Sequence, residues 1–179
     1  MKIKITNKDI IDGSFVVPDG VTEIRDYAFD GCSGLKNITL PDGVTKIGNW
    51  ALANCTSLSS IIIPEGVTKI GKWAFYGCSG LSSIIIPESV TEIGIGAFCG
   101  CSSLSSIIIP ESVTKIGDWA FEDCTTLSSI IIPDSVTEIG IGAFGGCTSL
   151  KKVSLPKKFK LGHGVFYRCH PDLAIEYRD

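Results

Sequence analysis

The segment "SSIIIP" occupies residues 59–64 and returns at 82–87, 105–110 and 128–133. Side chains of an extended strand point alternately to its two faces, so three consecutive isoleucines cannot all face one side. The copies lie 23 residues apart, and the same period runs through most of the chain. Units that begin with proline start at Pro18, Pro41, Pro64, Pro87, Pro110 and Pro133, and a degenerate unit starts at Pro156.

Comparison of the units shows which isoleucines face the core. The first and third positions of the triplet stay apolar, as in Ile84 and Ile86, whereas the middle position is Thr39 in the first unit and Ser154 in the sixth. Period-two alternation then predicts that the outer pair points inward and the middle residue outward. The predicted outward strand face consists of Ile62, Ile85, Ile108 and Ile131, the serines two residues earlier (Ser60, Ser83, Ser106, Ser129), and the flanking Thr39 and Ser154.

The remainder of each unit predicts turns between short strands. An Ala-Phe pair, Cys and Leu follow with the spacing of one helical turn, and the proline ends the strand because it has no N–H to donate. In every regular unit except the first, which has Arg25, a glycine precedes this pair and is expected to adopt positive φ; it is Gly48, Gly71, Gly94, Gly117 and Gly140. A unit this short cannot bury its own apolar face, so the repeat predicts a right-handed solenoid of parallel strands and short helical or 3₁₀ turns, its coils stacked about 4.8 Å apart.

Length and composition indicate one domain. Of 179 residues, 44% are hydrophobic and 20% charged, with a mean hydropathy of +0.31, which is atypical of disorder. The predicted organisation is a single repeat domain over 1–179, with a lead-in at 1–17, six regular repeats at 18–155 and a capping repeat at 156–179. Apolar runs are too short to cross a bilayer, and the start "MKIKITNKDI" shows no export signal.

Charge is distributed unevenly along the chain. Residues 1–150 hold nine basic and sixteen acidic residues, a balance of −7, whereas residues 151–179 hold seven and three, a balance of +4. We interpret the basic end as a solubilising cap, with a docking patch for an acidic partner as the alternative. Its lysines are Lys151, Lys152, Lys157, Lys158 and Lys160.

The pattern "IPxxVTxIGxxAFxxCxxLxxIxIP" resembles the 23-residue leucine-rich repeats of the BspA-like, or Treponema pallidum, type over roughly residues 13–179. The last unit departs from it: one residue is missing before Gly162, Val165 replaces alanine, and one residue is inserted between Cys169 and Leu173. The resemblance implies a leucine-rich-repeat superhelix, a horseshoe-like arc with its strands on the concave side. It also implies a non-enzymatic role in binding other proteins, often as a surface or secreted adhesin of host-associated bacteria.

Cysteines and aromatic residues recur in register. Seven cysteines share one slot, and a parallel ladder supplies neither disulfide geometry nor four converging zinc ligands, so buried free thiols are expected; they are Cys32, Cys55, Cys78, Cys101, Cys124, Cys147 and Cys169. Cys99 occupies a slot with varied residues and is predicted to be an exposed thiol. Tyr27, Trp50, Trp73 and Trp119 share a slot with glycines and are expected to be half exposed, as secondary partner contacts or as cover for the convex side.

The sequence offers little for catalysis. The two histidines, His163 and His170, lie in the degenerate unit, and there is no phosphate loop, HExxH or nucleophile elbow. We therefore expect no enzyme, no cofactor and no metal. The outward strand face is the predicted contact surface for a protein partner, such as a host matrix or surface protein, rather than for nucleic acid or a membrane. The alternatives are a self-assembling structural element that forms homo-oligomers, and a consensus-like array without a dedicated ligand.

Overall fold

The chain winds into a solenoid of parallel strands in a computed structural model, which describes residues 5–157, 159 and 161–178. Equivalent residues of neighbouring units pair directly, as Ser60 does with Ser83 and Glu92 with Lys115. The predicted solenoid and its 23-residue period are thereby confirmed.

The described elements are short because each strand forms only part of one coil. In chain order they are a 3₁₀ helix (Asn7–Asp9) and the strands β1 (Ser14–Val16), β2 (Glu23–Ile24), β3 (Asn37–Thr39), β4 (Lys46–Ile47), β5 (Ser60–Ile62), β6 (Lys69–Ile70), β7 (Ser83–Ile85), β8 (Glu92–Ile93), β9 (Lys115–Ile116), β10 (Ser129–Ile131), β11 (Glu138–Ile139), β12 (Lys152–Pro156) and β13 (Ala174–Arg178).

Two walls of the solenoid are built from strands. The first carries the isoleucine triplets and contains the parallel sheets β1-β3, β5-β7 and β10-β12-β13. Residues 105–109 lie between the last two sheets and form no strand, although their sequence equals that of their neighbours. The second wall is one six-stranded parallel sheet in the order β11-β9-β8-β6-β4-β2.

The third wall consists of the predicted short turns, which have 3₁₀-type hydrogen bonds but form no continuous helix in the described residues. Within the coil, the N–H groups of Ala97, Cys99 and Cys101 donate to carbonyls three residues earlier. The alternate N–H groups, those of Gly96, Phe98 and Gly100, donate instead to carbonyls of the next coil at 2.7–2.8 Å. Because half of the N–H groups donate to carbonyls of the next coil, the segment cannot form the continuous i→i−4 hydrogen bonds of an α-helix.

The glycines that precede the Ala-Phe pairs, such as Gly94, do not have positive φ, so that prediction is wrong. A Cβ atom added at Gly94 would lie 2.7 Å from the carbonyl oxygen of Ile70 and 2.8 Å from the carbonyl carbon of Gly71. The slot needs glycine because two backbones approach closely. Positive φ occurs at the aromatic slot, at Trp50 and Gly96 for example, which explains why glycine recurs there.

The core is continuous through all coils. Phe75, Phe98, Phe121 and Phe144 stack face to face with ring centroids 5.1–5.2 Å apart, and all four are fully buried. Leu52 occupies the same slot and is also buried. The described part of the chain contains no helix with the length and hydrophobicity needed to cross a lipid bilayer.

Candidate functional site

The middle isoleucines of the triplets form an exposed row on the first wall, as their alternation predicts. We call Ile62, Ile85, Ile108 and Ile131 the isoleucine stripe; their side chains are 70%, 61%, 84% and 65% exposed. The residues on either side of each, such as Ile84 and Ile86, are buried. β-strand geometry thus holds the stripe outward while its neighbours anchor it in the core.

Hydroxyl residues border the isoleucine stripe on one side. Ser60, Ser83, Ser106 and Ser129 are all exposed, and Thr39 continues the row of the stripe at the amino-terminal end. Two open hollows lie on this face. One, of about 270 Å³, is lined by Ile108, Ile131 and Glu111 among others, and a second, of about 360 Å³, by Thr39, Ile62 and Asp42 among others.

Ser154 was predicted to be exposed at the carboxy-terminal end of this row, and the structure corrects this. It is only 8% exposed because β13 adds a further strand beside β12 and carries Arg178 across it. Nη1 of Arg178 donates to Ser154 Oγ at 3.1 Å. This covering strand comes from the degenerate unit, where the repeat pattern has no predictive power. The exposed strand face therefore ends at Ile131.

A row of carboxylates that the sequence analysis overlooked lies on the other side of the stripe. The residue after each unit-opening proline is acidic in six units and lysine, Lys157, in the last. All six are exposed. The signal was visible in the repeat, since the slot never loses its charge. We call Asp19, Asp42, Glu65, Glu88, Glu111 and Asp134 the acidic row.

The predicted basic cluster near the carboxy-terminal end of the chain lies beyond Ile131, the last residue of the exposed strand face. Lys151, Lys152 and Lys157 are exposed, and Lys152 Nζ pairs with Glu176 of β13 at 3.0 Å. Lys158 and Lys160, which complete the predicted basic cluster, lie outside the described residues.

The second wall is closed by contacts between its own residues. Lys46 pairs with Glu23, Lys69 with Glu92 and Lys115 with Glu138 at 2.6–2.9 Å. Beside these pairs, threonine hydroxyls donate to threonine carbonyls of the preceding coil at 3.2–3.3 Å. The charged side chains of this wall thus pair with one another, and its threonine hydroxyls bond to backbone carbonyls. Its carboxylates therefore offer positions for control variants.

The aromatic slot forms a stacked row along the coils. Tyr27 stacks on Trp50, Trp50 on Trp73, and Trp73 on Trp119, with ring centroids 6.2, 5.5 and 6.4 Å apart. The ring of Trp73 bridges the coil of Gly96, where an added Cβ would collide with it. Tyr27 and Trp119 are exposed and the two central rings half-buried, so a partner contact through these rings stays a prediction.

The cysteine slot is buried along the core. Cys55, Cys78, Cys101, Cys124 and Cys147 are inaccessible to solvent, and each Sγ–H donates to a carbonyl of the preceding coil at 3.1–3.3 Å. All eight cysteines are free thiols. Among the described residues, no three His, Cys, Asp or Glu side chains converge as metal ligands do.

Cys99 was predicted to be exposed, and this is wrong. It is 7% exposed because the longer Glu122 of the next coil lies over it, with Oε2 3.9 Å from Sγ. Burial, followed by the negative charges of Glu122 and Asp123, raises the pKa of the Cys99 thiol to about 12. The variety of residues in this slot suggested exposure, but it did not reveal that the small Cys99 side chain is covered by the larger Glu122.

Thiol reactivity should therefore begin at Cys169. It is half-buried, and the neighbouring Cys147 thiol lowers the pKa of Cys169, because it can turn its S–H from the Phe121 carbonyl oxygen to a Cys169 thiolate. Because the thiolate is the reactive form, we expect a single fast thiol in a disulfide-exchange titration of the native protein at about pH 8. Cys169→Ser should remove the fast phase and Cys99→Ser should leave it intact. Loss of the phase in Cys99→Ser would contradict this assignment.

Comparison with known proteins places these features in context. The model of a family described as "BspA type Leucine rich repeat region (6 copies)" matches residues 11–126 and 74–175. No curated protein matches significantly. Among solved structures, a leucine-rich repeat protein from T. pallidum is 38% identical, with a TM-score of 0.83 over 89% of this chain and 79% of that one.

Two longer structures are also similar. A leucine-rich repeat protein from Bacteroides ovatus is 31% identical with a TM-score of 0.62, over 92% of this chain and 55% of that one. A leucine-rich cell surface protein from Faecalibacterium prausnitzii is 28% identical with a TM-score of 0.67, over 93% of this chain and 60% of that one. The chain therefore spans little more than half of these two proteins.

Proposed function

The chain belongs to the BspA-type leucine-rich repeat family, and we propose that it is a non-enzymatic protein-binding module whose contact surface is the outward strand face from Thr39 to Ile131. Membership of the family supports a repeat-based protein-interaction module. The choice of surface rests on one observation, the exposure of the isoleucine stripe. Thr39 shows that the same exposed slot accepts a hydroxyl residue, so the fold does not require isoleucine there.

Exposure of four aligned isoleucines has an energetic consequence. Full burial of one such side chain against a partner would stabilise the complex by up to about 3 kcal/mol. Contiguous apolar patches of this kind are typical of interaction sites, and a bordering row of hydroxyls suits the polar rim of a protein interface. The face lacks the aromatic platforms that single-stranded nucleic acid requires.

We further propose adhesion at a cell surface as the setting of this binding. The support is the similarity to the F. prausnitzii protein, which is described as a leucine-rich cell surface protein. A matrix or surface protein of another cell is the partner class that fits this setting. Contacts of that partner with the aromatic row of Tyr27, Trp50, Trp73 and Trp119 belong to the same proposal.

Ile85→Asp combined with Ile108→Asp should abolish capture of partners from matrix and bacterial surface extracts. Two charges in the middle of the isoleucine stripe would have to be desolvated on binding, which is costly without a paired cation. Because both side chains point to solvent, we expect the free energy of unfolding to change by only about 1 kcal/mol per substitution.

The matched control places the same two charges elsewhere, as Thr56→Asp with Thr148→Asp at exposed turn positions. This variant should capture partners as the unmodified protein does. Undiminished capture by the Ile85/Ile108 variant, at unchanged stability, would show that the strand face is not the contact surface.

A further inference from the structure

The isoleucine stripe and the acidic row form one composite surface. Each outward isoleucine is followed three positions later by an acid, as Ile62 is by Glu65. Ile108 and Glu111 line the same hollow, as do Ile62 and Asp42. The surface therefore has three parallel bands across the coils: hydroxyls, aliphatic side chains and carboxylates. One edge is neutral and the other is negatively charged. A partner that lies along the surface therefore meets hydroxyls on one side and carboxylates on the other.

The chain itself shows how a cation engages this surface. Arg178 reaches from β13 across the row of the stripe, and its Nη2 donates to Asp134 Oδ1 at 2.8 Å and to the carbonyl oxygen of Ile132 at 2.7 Å. Asp134 is the last member of the acidic row, and Ile132 is the third residue of its triplet. A basic side chain lying over the strand face is thus held by a carboxylate of the row together with a neighbouring backbone carbonyl.

The spacing of the stripe selects the conformation of a partner that runs along it. Coils stack about 4.8 Å apart, whereas same-face side chains of a strand recur every 6.7 Å or so. An α-helix presents one face every turn, about 5.4 Å. Over the three intervals between the four isoleucines, a helix drifts out of register by about 2 Å and a strand by about 6 Å. The helix stays in register with the stripe.

We propose that the occupant of this surface is a cationic amphipathic helix of a partner protein. This inference rests on the proposed function and specifies the chemistry of its partner. The apolar face of the helix packs on the isoleucine stripe, and lysines or arginines along one flank pair with Glu65, Glu88 and Glu111. Helix-in-groove recognition of this kind reads side chains at i, i+3, i+4 and i+7.

The test uses a synthetic helix of about 14 residues, with leucines along one face and lysines along one flank, labelled for fluorescence anisotropy. We expect saturable binding that weakens with added salt, because exposed ion pairs are screened. Glu65→Gln with Glu88→Gln and Glu111→Gln should weaken binding by about tenfold, the sum of three modest surface pairs. Ile85→Asp with Ile108→Asp should eliminate it.

The matched control removes three carboxylates from the second wall, as Glu23→Gln, Glu92→Gln and Glu138→Gln. It changes net charge equally and should alter the affinity by less than about twofold. Equal weakening in both triple variants would overturn the proposal, because binding would then follow net charge alone. So would equal affinity for a proline-containing peptide of the same composition, which cannot be helical.

A second copy of this chain is the competing occupant, since its basic end could pair with the acidic row. Dimers that dissociate in the Glu65/Glu88/Glu111 variant, together with no binding of the peptide, would overturn the proposal in favour of self-assembly. If the peptide fails but partner capture still depends on Ile85 and Ile108, only this inference falls and the proposed function stands.

Discussion

Replacing Phe98 with alanine is expected to lower the free energy of unfolding by about 4 kcal/mol, the middle of the range for buried aromatic residues. The ring is fully buried and stacks on Phe75 and Phe121 at 5.2 Å, with interplanar angles of 5° and 11°. Its removal creates a cavity between two coils and deletes both stacking contacts. In a solenoid each coil packs against its neighbours. The stacking of Trp73 on Trp119 spans this coil but lies at the surface, so it cannot fill a cavity in the core.

Urea denaturation followed by circular dichroism measures this effect. Phe98→Leu is the matched control because Leu52 fills the equivalent slot and is fully buried; it should cost about 1.5 kcal/mol or less. Near-equal costs for alanine and leucine would show that the stack contributes little. Separate transitions in the alanine variant would show that the two halves of the solenoid had become uncoupled at this coil.

The repeat carries most of the information that the sequence gives about the fold. Pairing of equivalent positions and the outward orientation of Ile62 and Ile85 follow from period-two alternation combined with comparison of units. Both hold in the structure. Comparison of units works because every coil repeats the same environment, so each slot samples that environment several times.

Predictions failed where the exposure of a residue depends on a neighbouring side chain that differs from coil to coil. Ser154 is covered by a strand from the irregular end of the chain, and Cys99 by the longer Glu122 of the next coil. A glycine that recurs in one slot has two possible causes, positive φ or close approach of another backbone, and sequence alone does not separate them at Gly94. The acidic row was overlooked for a different reason. The repeat shows an acid in this slot in six units, but only the structure shows that these carboxylates lie beside the isoleucine stripe.

Gly94→Ala should destabilise the protein severely, by about 3 kcal/mol or more, at the upper end for an overpacked site. The added Cβ would lie 2.7–2.9 Å from the carbonyl oxygen of Ile70 and the carbonyl group of Gly71. These are backbone atoms of the preceding coil and cannot rotate away as a side chain would. The N–H of Gly94 also donates to the Ile70 carbonyl oxygen at 3.0 Å, so separating the coils would lengthen that bond as well.

The control separates crowding from backbone conformation. Gly31 has a φ of +77° and no atom within 4 Å of an added Cβ, and Asn54 adopts a φ of 57° in the equivalent slot. Gly31→Ala should therefore cost only about 1–2 kcal/mol, the price of the left-handed conformation, and Gly31→Asn less, because asparagine tolerates that region better. The prediction would be contradicted if parallel urea titrations showed that Gly94→Ala lowers the free energy of unfolding no more than Gly31→Ala does. The two coils would then be able to move apart easily at Gly94. The glycine column would then reflect something other than the contact between backbones.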